Sequence, residues 1–353
     1  MANFGQILRN RVIKKILHIM GLVYGRLNLF QSVSRVSHVS HVSSSAIAFM
    51  LCALVIQSTG CALLDNKLRT LTYRPTSGVP ADFAGLRLGD ERYFVIVPAI
   101  CKAPALCDTA TNTVSSISST TRTKVNGTDT VPQRIEMWWL PHPDANAPTL
   151  LYLHGTFRTL YQNLPKIDSL REAGFAILAV DYRGWGQSTA LTPSESTIMQ
   201  DARLALVELQ RREIRPNHRF IYGHSMGTGV AVDLASSLQA KSGYGGLILE
   251  SAFTSFSDIA RQVGVLGYFA ALLNTERFES ITKISKVRAP LLMLHGNLDT
   301  TVPMVLGKQL FDAANEPKQW VTFANGTHSR LNQEAPSQYQ ATVIGFRKMV
   351  TAD

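Results

Sequence analysis

Arg219-Phe-Ile-Tyr-Gly-His-Ser-Met-Gly-Thr-Gly-Val230 is the stretch on which the reading of this chain turns. Phe220 to Tyr222 are aromatic and β-branched, as a buried strand requires. Met226 to Gln239 carry a helical pattern. Between them Gly223-His-Ser-Met-Gly227 reads G-x-S-x-G, which has meaning only in a strand–turn–helix setting of this kind. So tight a turn leaves no room for a Cβ at either glycine. It holds Ser225 Oγ clear at the carboxyl end of the strand, beside the free N–H groups and positive end of the following helix. Ser225 is therefore a candidate nucleophile. Gly223 to Gly229 reads G-x-x-x-G-x-G, which is not a dinucleotide fingerprint.

Working outward, strands and helices alternate. Thr149 to His154, Phe175 to Asp181, Gly246 to Glu250, Pro290 to His295 and Trp320 to Phe323 read as strands. Leu164 to Ala173, Pro193 to Arg212, Pro303 to Ala314 and Tyr339 to Val350 read as helices. Such alternation predicts a mostly parallel sheet of about eight strands with helices on both faces and right-handed crossovers. Arg92 to Val97 and Arg134 to Leu140 are expected to pair as an antiparallel edge. Between them Pro98 to Val131, rich in Ser, Thr, Asn and Gly, reads as an inserted loop.

A serine hydroxyl needs a base. Two loops at carboxyl ends of later strands supply the partners, where sites on such sheets lie. Asp299 sits in Gly296-Asn-Leu-Asp299 and His328 in Asn325-Gly-Thr-His328, giving the chain order Ser, Asp, His. His328 is expected to take the Ser225 proton, and Asp299 to orient the ring. His154 and His295 precede glycines at strand ends, where a packed or backbone-bonded ring is the default. His224 lies inside the turn and cannot easily reach Ser225. Asp312 reads as solvated, and Asp258 as a weaker substitute acid. The oxyanion donors are expected to be the backbone N–H groups of Met226 and Thr156, with Phe157 as the alternative to Thr156.

In these residues the chain resembles the α/β-hydrolase superfamily. It is most similar to the abhydrolase-domain group of membrane-associated lipid esterases, lysophospholipases and depalmitoylases. The resemblance is carried by Tyr73-Arg-Pro-Thr76, Trp139-Leu-Pro141, Leu153-His-Gly155, Asp181-Tyr-Arg-Gly-Trp-Gly-Gln-Ser188, Gly223 to Gly227, Glu250-Ser-Ala-Phe-Thr254 and Gly296 to Pro303. It spans about Leu68 to Val350. It implies an α/β-hydrolase fold and a serine hydrolase that cleaves ester or thioester bonds through an acyl-enzyme, without a cofactor. The substrate would be a small-molecule or lipid ester. Two features depart from relatives: the Pro98–Val131 insertion, and Thr156-Phe-Arg-Thr159, where they usually show small and polar residues such as Asn-Ala. Phe253 to Lys286 would form a short cap over the site, its apolar stretch Val263 to Leu273 either lining a pocket or packing on the body. Two other functions share this fold. A binding protein would not need an ordered triad, and peptidases of this type usually add a propeller or larger cap. A haloalkane dehalogenase would need a carboxylate at position 225.

Composition narrows the class and locates the charge. The chain has 353 residues, 45% hydrophobic and 17% charged, with 4 Cys, which excludes a disulfide miniprotein, a coiled coil and a disordered chain. No zinc-type ligand spacing occurs. Arg9, Arg11, Lys14, Lys15, Arg26 and Arg35 stand in residues 1–60 without an acid, leaving +4 of the +10 net charge for the rest. With no basic stripe interleaved with aromatics, nothing points to nucleic acid. Residues 1–60 read as a leader and 61–353 as a single domain. Ala46 to Ile56 is 11 residues long, short of a membrane span and the length of a signal-peptide core. Ser58-Thr-Gly-Cys61 after it resembles a bacterial lipobox, which would make Cys61 a lipidated mature N-terminus; Ser58 stands where Leu is usual. Ala62 lacks the retention signal of an Asp. The expectation is an exported protein, lipid-anchored to the outer membrane and facing the periplasm. A cleaved signal and an uncleaved anchor are the alternatives. Residues 1–30 are either a stretch ahead of the true start, near Met20 or a later Val, or a surface-binding amphipathic helix. Export would permit a Cys101–Cys107 disulfide; the alternative is two free thiols.

Overall fold

The computed structural model describes residues 65–98, 123–125, 128–130, 132–239, 243–262, 264 and 275–352. Cys61, Cys101, Cys107, the leader, and the apolar stretch of the cap except Gly264 lie outside the described residues. The chain divides after Asp65, and the fold below is that of Asn66–Asp353.

Eight strands form one sheet in the order β1 (Glu91–Ile96), β4 (Arg134–Leu140), β6 (Ala176–Asp181), β5 (Thr149–Leu153), β7 (Arg219–His224), β8 (Gly246–Glu250), β9 (Leu291–Gly296), β10 (Lys318–Phe323). β4 runs antiparallel to both β1 and β6, and the pairings from β6 through β10 are parallel. This is the α/β-hydrolase architecture. β2 (Thr123–Val125) and β3 (Thr128–Thr130) make a separate hairpin inside the segment expected as loop. The signal for it was the Asn126-Gly127 pair, which favours a two-residue hairpin turn.

The parallel strands are continuous apolar runs because both faces are covered. Their side chains divide by period 2. Leu151, Leu153, Ile221, Leu247, Leu249 and Met293 face one core, with residues of α2 (Glu195–Arg212) and α3 (Met226–Ser237). Leu150, Tyr152, Phe220, Tyr222, Ile248 and Leu292 face the other, with residues of α1 (Leu160–Glu172). Each such side chain contributes about 1.5–3 kcal/mol on burial.

Helix starts follow capping chemistry. Ser194 Oγ accepts from Thr197 N at 3.2 Å and begins α2. α1 starts at Leu160, four residues before the expected Leu164. Pro165 favours a first-turn position, but Gln162 Oε1 accepts from Thr159 N at 3.3 Å and opens the helix earlier. Further helices are α4 (Phe256–Arg261), α5 (Met304–Ala313), α6 (Leu331–Glu334) and α7 (Pro336–Thr351). α7 begins ahead of the expected Tyr339, with Pro336 in its first turn. Residues of α7 join those of α1 on the second core.

Candidate active site

The β7–α3 turn is built by exclusion. A Cβ on Gly223 would lie 2.4 Å from Gly227 O, and one on Gly227 would lie 2.1 Å from Leu153 O. Ser225 between them adopts φ 53° and ψ −122°. A left-handed φ is unfavourable for a residue with a Cβ. The turn is held because Ser225 N donates to Glu250 O at 3.0 Å and Thr228 N to Ser225 O at 2.8 Å. Met226, the first residue of α3, is buried.

Asp299 follows β9 and His328 follows β10, so adjacent parallel strands bring their loops together. His328 Nε2 is 2.9 Å from Ser225 Oγ, and His328 Nδ1 is 2.8 Å from Asp299 Oδ2. A carboxylate at Nδ1 selects the tautomer protonated there, leaving Nε2 to accept the Ser225 proton. Thr301 N and Val302 N donate to Asp299 Oδ1 at 2.9 and 2.8 Å, so Oδ2 faces the imidazole. Burial pushes the Asp299 carboxyl up, but the His328 hydrogen bond and charge, with the Val302 N–H, outweigh it and hold the group below its ordinary value.

The His328 main chain is fixed as firmly as its ring. His224 Nε2 donates to His328 O at 2.9 Å, and Ser251 Oγ donates to the same oxygen at 3.0 Å. Burial drives His224 far below its ordinary pKa, so it serves as a neutral donor. His295 is buried and gives Nε2–H to Val302 O at 3.0 Å, bracing the Asp299 loop.

Thr156 and Phe157 lie in the loop after β5. A Cβ on Gly155 would come 2.9 Å from Ser225 Cβ, so glycine permits the close approach of this loop to the serine. Phe157 has φ 74° and is 41% exposed, with the Arg74 guanidinium 4.7 Å above its ring. His154 Nδ1 is 2.6 Å from Gly155 O and its Nε2 is 3.2 Å from Asp181 Oδ1, which pins the loop to the end of β6.

The rival acids are engaged elsewhere. Asp258 accepts from Thr254, Ser255 and Arg261, and Asp312 is exposed on α5 beside Lys308. Among the described residues, no cluster of metal-ligating side chains occurs. A buried group that the sequence reading did not single out lies behind the site. Lys166 of α1 pairs with Glu250, which also accepts from Tyr222 and Tyr339. Its sequence signal was a lysine beside Ile167 and Leu170 on the inward face of α1.

Three comparisons bear on this geometry. A family described as serine aminopeptidase, S33, matches residues 144–275. The zebrafish (Danio rerio) protein named lysophosphatidylserine lipase ABHD12 is 35% identical over 202 residues, 51% of this chain and 51% of its own length. This chain thus spans about half of that relative. YfhR of Escherichia coli K12, an uncharacterized protein, is 30% identical over 202 residues, 55% of this chain and 69% of YfhR. The Pyrococcus furiosus esterase Pf2001 structure aligns with TM-score 0.52 at 18% identity, covering 62% of this chain and 87% of that one, a likeness of fold.

Proposed function

We infer the activity from one premise: the chain belongs to the α/β-hydrolase family. It is a serine hydrolase of esterase or lipase type, and it cleaves carboxylic esters or thioesters through an acyl-enzyme. The observation that carries this reading is the unbroken relay from Ser225 Oγ through His328 to Asp299, with contacts of 2.9 and 2.8 Å.

Each group has one task. Ser225 Oγ attacks the acyl carbon as His328 Nε2 takes its proton. Asp299 stabilises the imidazolium and keeps its orientation. The carbonyl oxygen becomes an oxyanion and accepts from the backbone N–H groups of Met226 and Thr156. His328 then protonates the departing alcohol or thiol. Water, activated by the same imidazole, attacks the acyl-serine and restores the enzyme. A substrate of lipid type is supported by the name of the zebrafish relative. Lipidation at Cys61, placing the enzyme at a bacterial membrane surface, fits such a substrate and rests on the lipobox-like sequence alone.

The test is labelling by a fluorophosphonate probe, wild type beside Ser225→Ala, followed by a p-nitrophenyl ester chain-length series. Labelling of the wild type and its loss in the variant are expected. A folded wild type that takes no label and turns over no ester would sink the reading and favour a binding protein on this fold.

A further inference from the structure

The segment between β5 and α1 is held at its ends and in its middle by different means. One buried carboxylate serves the ends: Asp181 Oδ1 accepts from Leu160 N at 3.0 Å and lies 3.2 Å from His154 Nε2. In the middle, Thr156, Phe157 and Arg158 make no hydrogen bond with a described residue. Their N–H groups are left for an external acceptor, and no main-chain bond fixes their direction. Phe157 stands at φ 74°, which a residue with a Cβ disfavours, and it is 41% exposed, so burial does not hold it there. Against its ring lies the Arg74 guanidinium, 4.7 Å from the centroid. We propose that Arg74 is a positioning residue: by covering Phe157 it sets the N–H groups of Thr156 and Phe157 toward the oxyanion. This assignment rests on the hydrolase reading above and adds a support to the same site.

Arg74 is itself firmly placed. Residues 66–73 are helical, and Arg74 N donates to Thr70 O at 3.0 Å as that helix ends, with Arg74 at φ 46°. Tyr73 before it is buried edge-on to Trp185 at 6.2 Å, and its hydroxyl donates to Glu276. After it, Thr76 O accepts from Gly186 N at 3.0 Å, and Gly78 N donates to Gly186 O at 2.7 Å. The chain is thus tied down on both sides of Arg74. Arg74 makes no ion pair with a described residue, and its Nε reaches Leu71 O at 3.4 Å. Its charge therefore falls to the face of Phe157, whose ring quadrupole attracts a cation. The small residues usual in relatives would offer no such face, so the aromatic at 157 and the cation at 74 belong together. A phenyl ring has no donor for an oxyanion, so its effect on the reaction passes through the main chain beside it. That main chain starts at the nucleophile, since a Cβ on Gly155 would lie 2.9 Å from Ser225 Cβ. A group misplaced there by about 1 Å can cost about 10²-fold in rate.

The experiment follows p-nitrophenyl acetate hydrolysis by the full chain. Wild type is run beside Arg74→Met, Arg74→Gln, Phe157→Leu, Phe157→Tyr and the Arg74→Met/Phe157→Leu double variant, each with its melting temperature. The acetyl group is short, which leaves little substrate for either side chain to touch. Arg74→Met and Phe157→Leu should each lower kcat and kcat/KM by the same factor, at least about fivefold, because donor alignment acts in the transition state. The double variant should lose no more than the worse single variant, since each removes the same contact. Phe157→Tyr keeps the face and should stay within about twofold of wild type. Arg74→Gln repeats the loss of charge with a polar side chain, so a folding defect in Arg74→Met does not close the test. Unchanged rates, a loss confined to KM, additive losses, or a loss in Phe157→Tyr as deep as in Phe157→Leu would each overturn the role of Arg74 and leave the hydrolase reading standing. A wild type that turns over no ester would count against the hydrolase reading and take this role with it.

Discussion

Ser225 accepts backbone strain for the sake of presentation. Removing the hydroxyl leaves the turn intact, so Ser225→Ala should abolish fluorophosphonate labelling while its melting curve stays close to wild type. Asp299→Asn keeps the shape but presents a donor to Nδ1 and favours the wrong tautomer. It is expected to lower kcat by about 10⁴-fold in steady-state ester assays. Asp299 also makes a pH prediction. Its ordinary pKa is 3.8 and its folded value lies lower. Above that ordinary value the native and unfolded states are both ionised, and the group's stabilisation is complete. It is lost as pH falls through the folded value. Denaturant midpoints measured between about pH 5 and 3 should therefore drop less steeply in Asp299→Asn than in the wild type. The turn glycines fail differently. Gly227→Ala would put a methyl 2.1 Å from Leu153 O, a backbone atom that cannot step aside. A loss of about 3 kcal/mol or more is expected in a urea titration.

At the scale of elements, α1 joins packing to the site. Its inward face carries Lys166 as well as Ile167 and Leu170, and that lysine meets Glu250 at the end of β8. Lys166→Met should cost about 3–5 kcal/mol, because Glu250 is left buried without its cation. The double variant Lys166→Met/Glu250→Gln should recover much of that loss, and a double-mutant cycle read by denaturant midpoint checks it. Periodicity and breakers located most strands and helices, because these depend on near neighbours. Boundaries moved where a local cap competed with a breaker, as when Thr159 and Gln162 opened α1 ahead of Pro165. The β2–β3 hairpin escaped a reading by composition because its strands are only 3 residues each.

At the scale of the molecule, the sheet order decides which loops meet. His328 and Ser225 are 103 positions apart, and parallel packing of β7 through β10 brings them within a hydrogen bond. Membrane placement belongs to this scale as well. If Cys61 carries a lipid, Cys61→Ser should move the protein from the membrane fraction to the soluble one without changing its turnover of a soluble p-nitrophenyl ester. Fractionation followed by assay of both pools reads this out. That Ser225, Asp299 and His328 would meet could be read without a structure, since G-x-S-x-G constrains a turn of five residues and Asp299 and His328 each stand in a short loop after a strand. The support around them could not. That His224 and Ser251 both hold His328 O, that Lys166 lies against Glu250, and that Arg74 covers Phe157 depend on which side chains non-neighbouring elements bring face to face. Local pattern carries the period of an element and the chemistry of its turn. It carries no information on what packs against the far side, and only the folded chain supplies that.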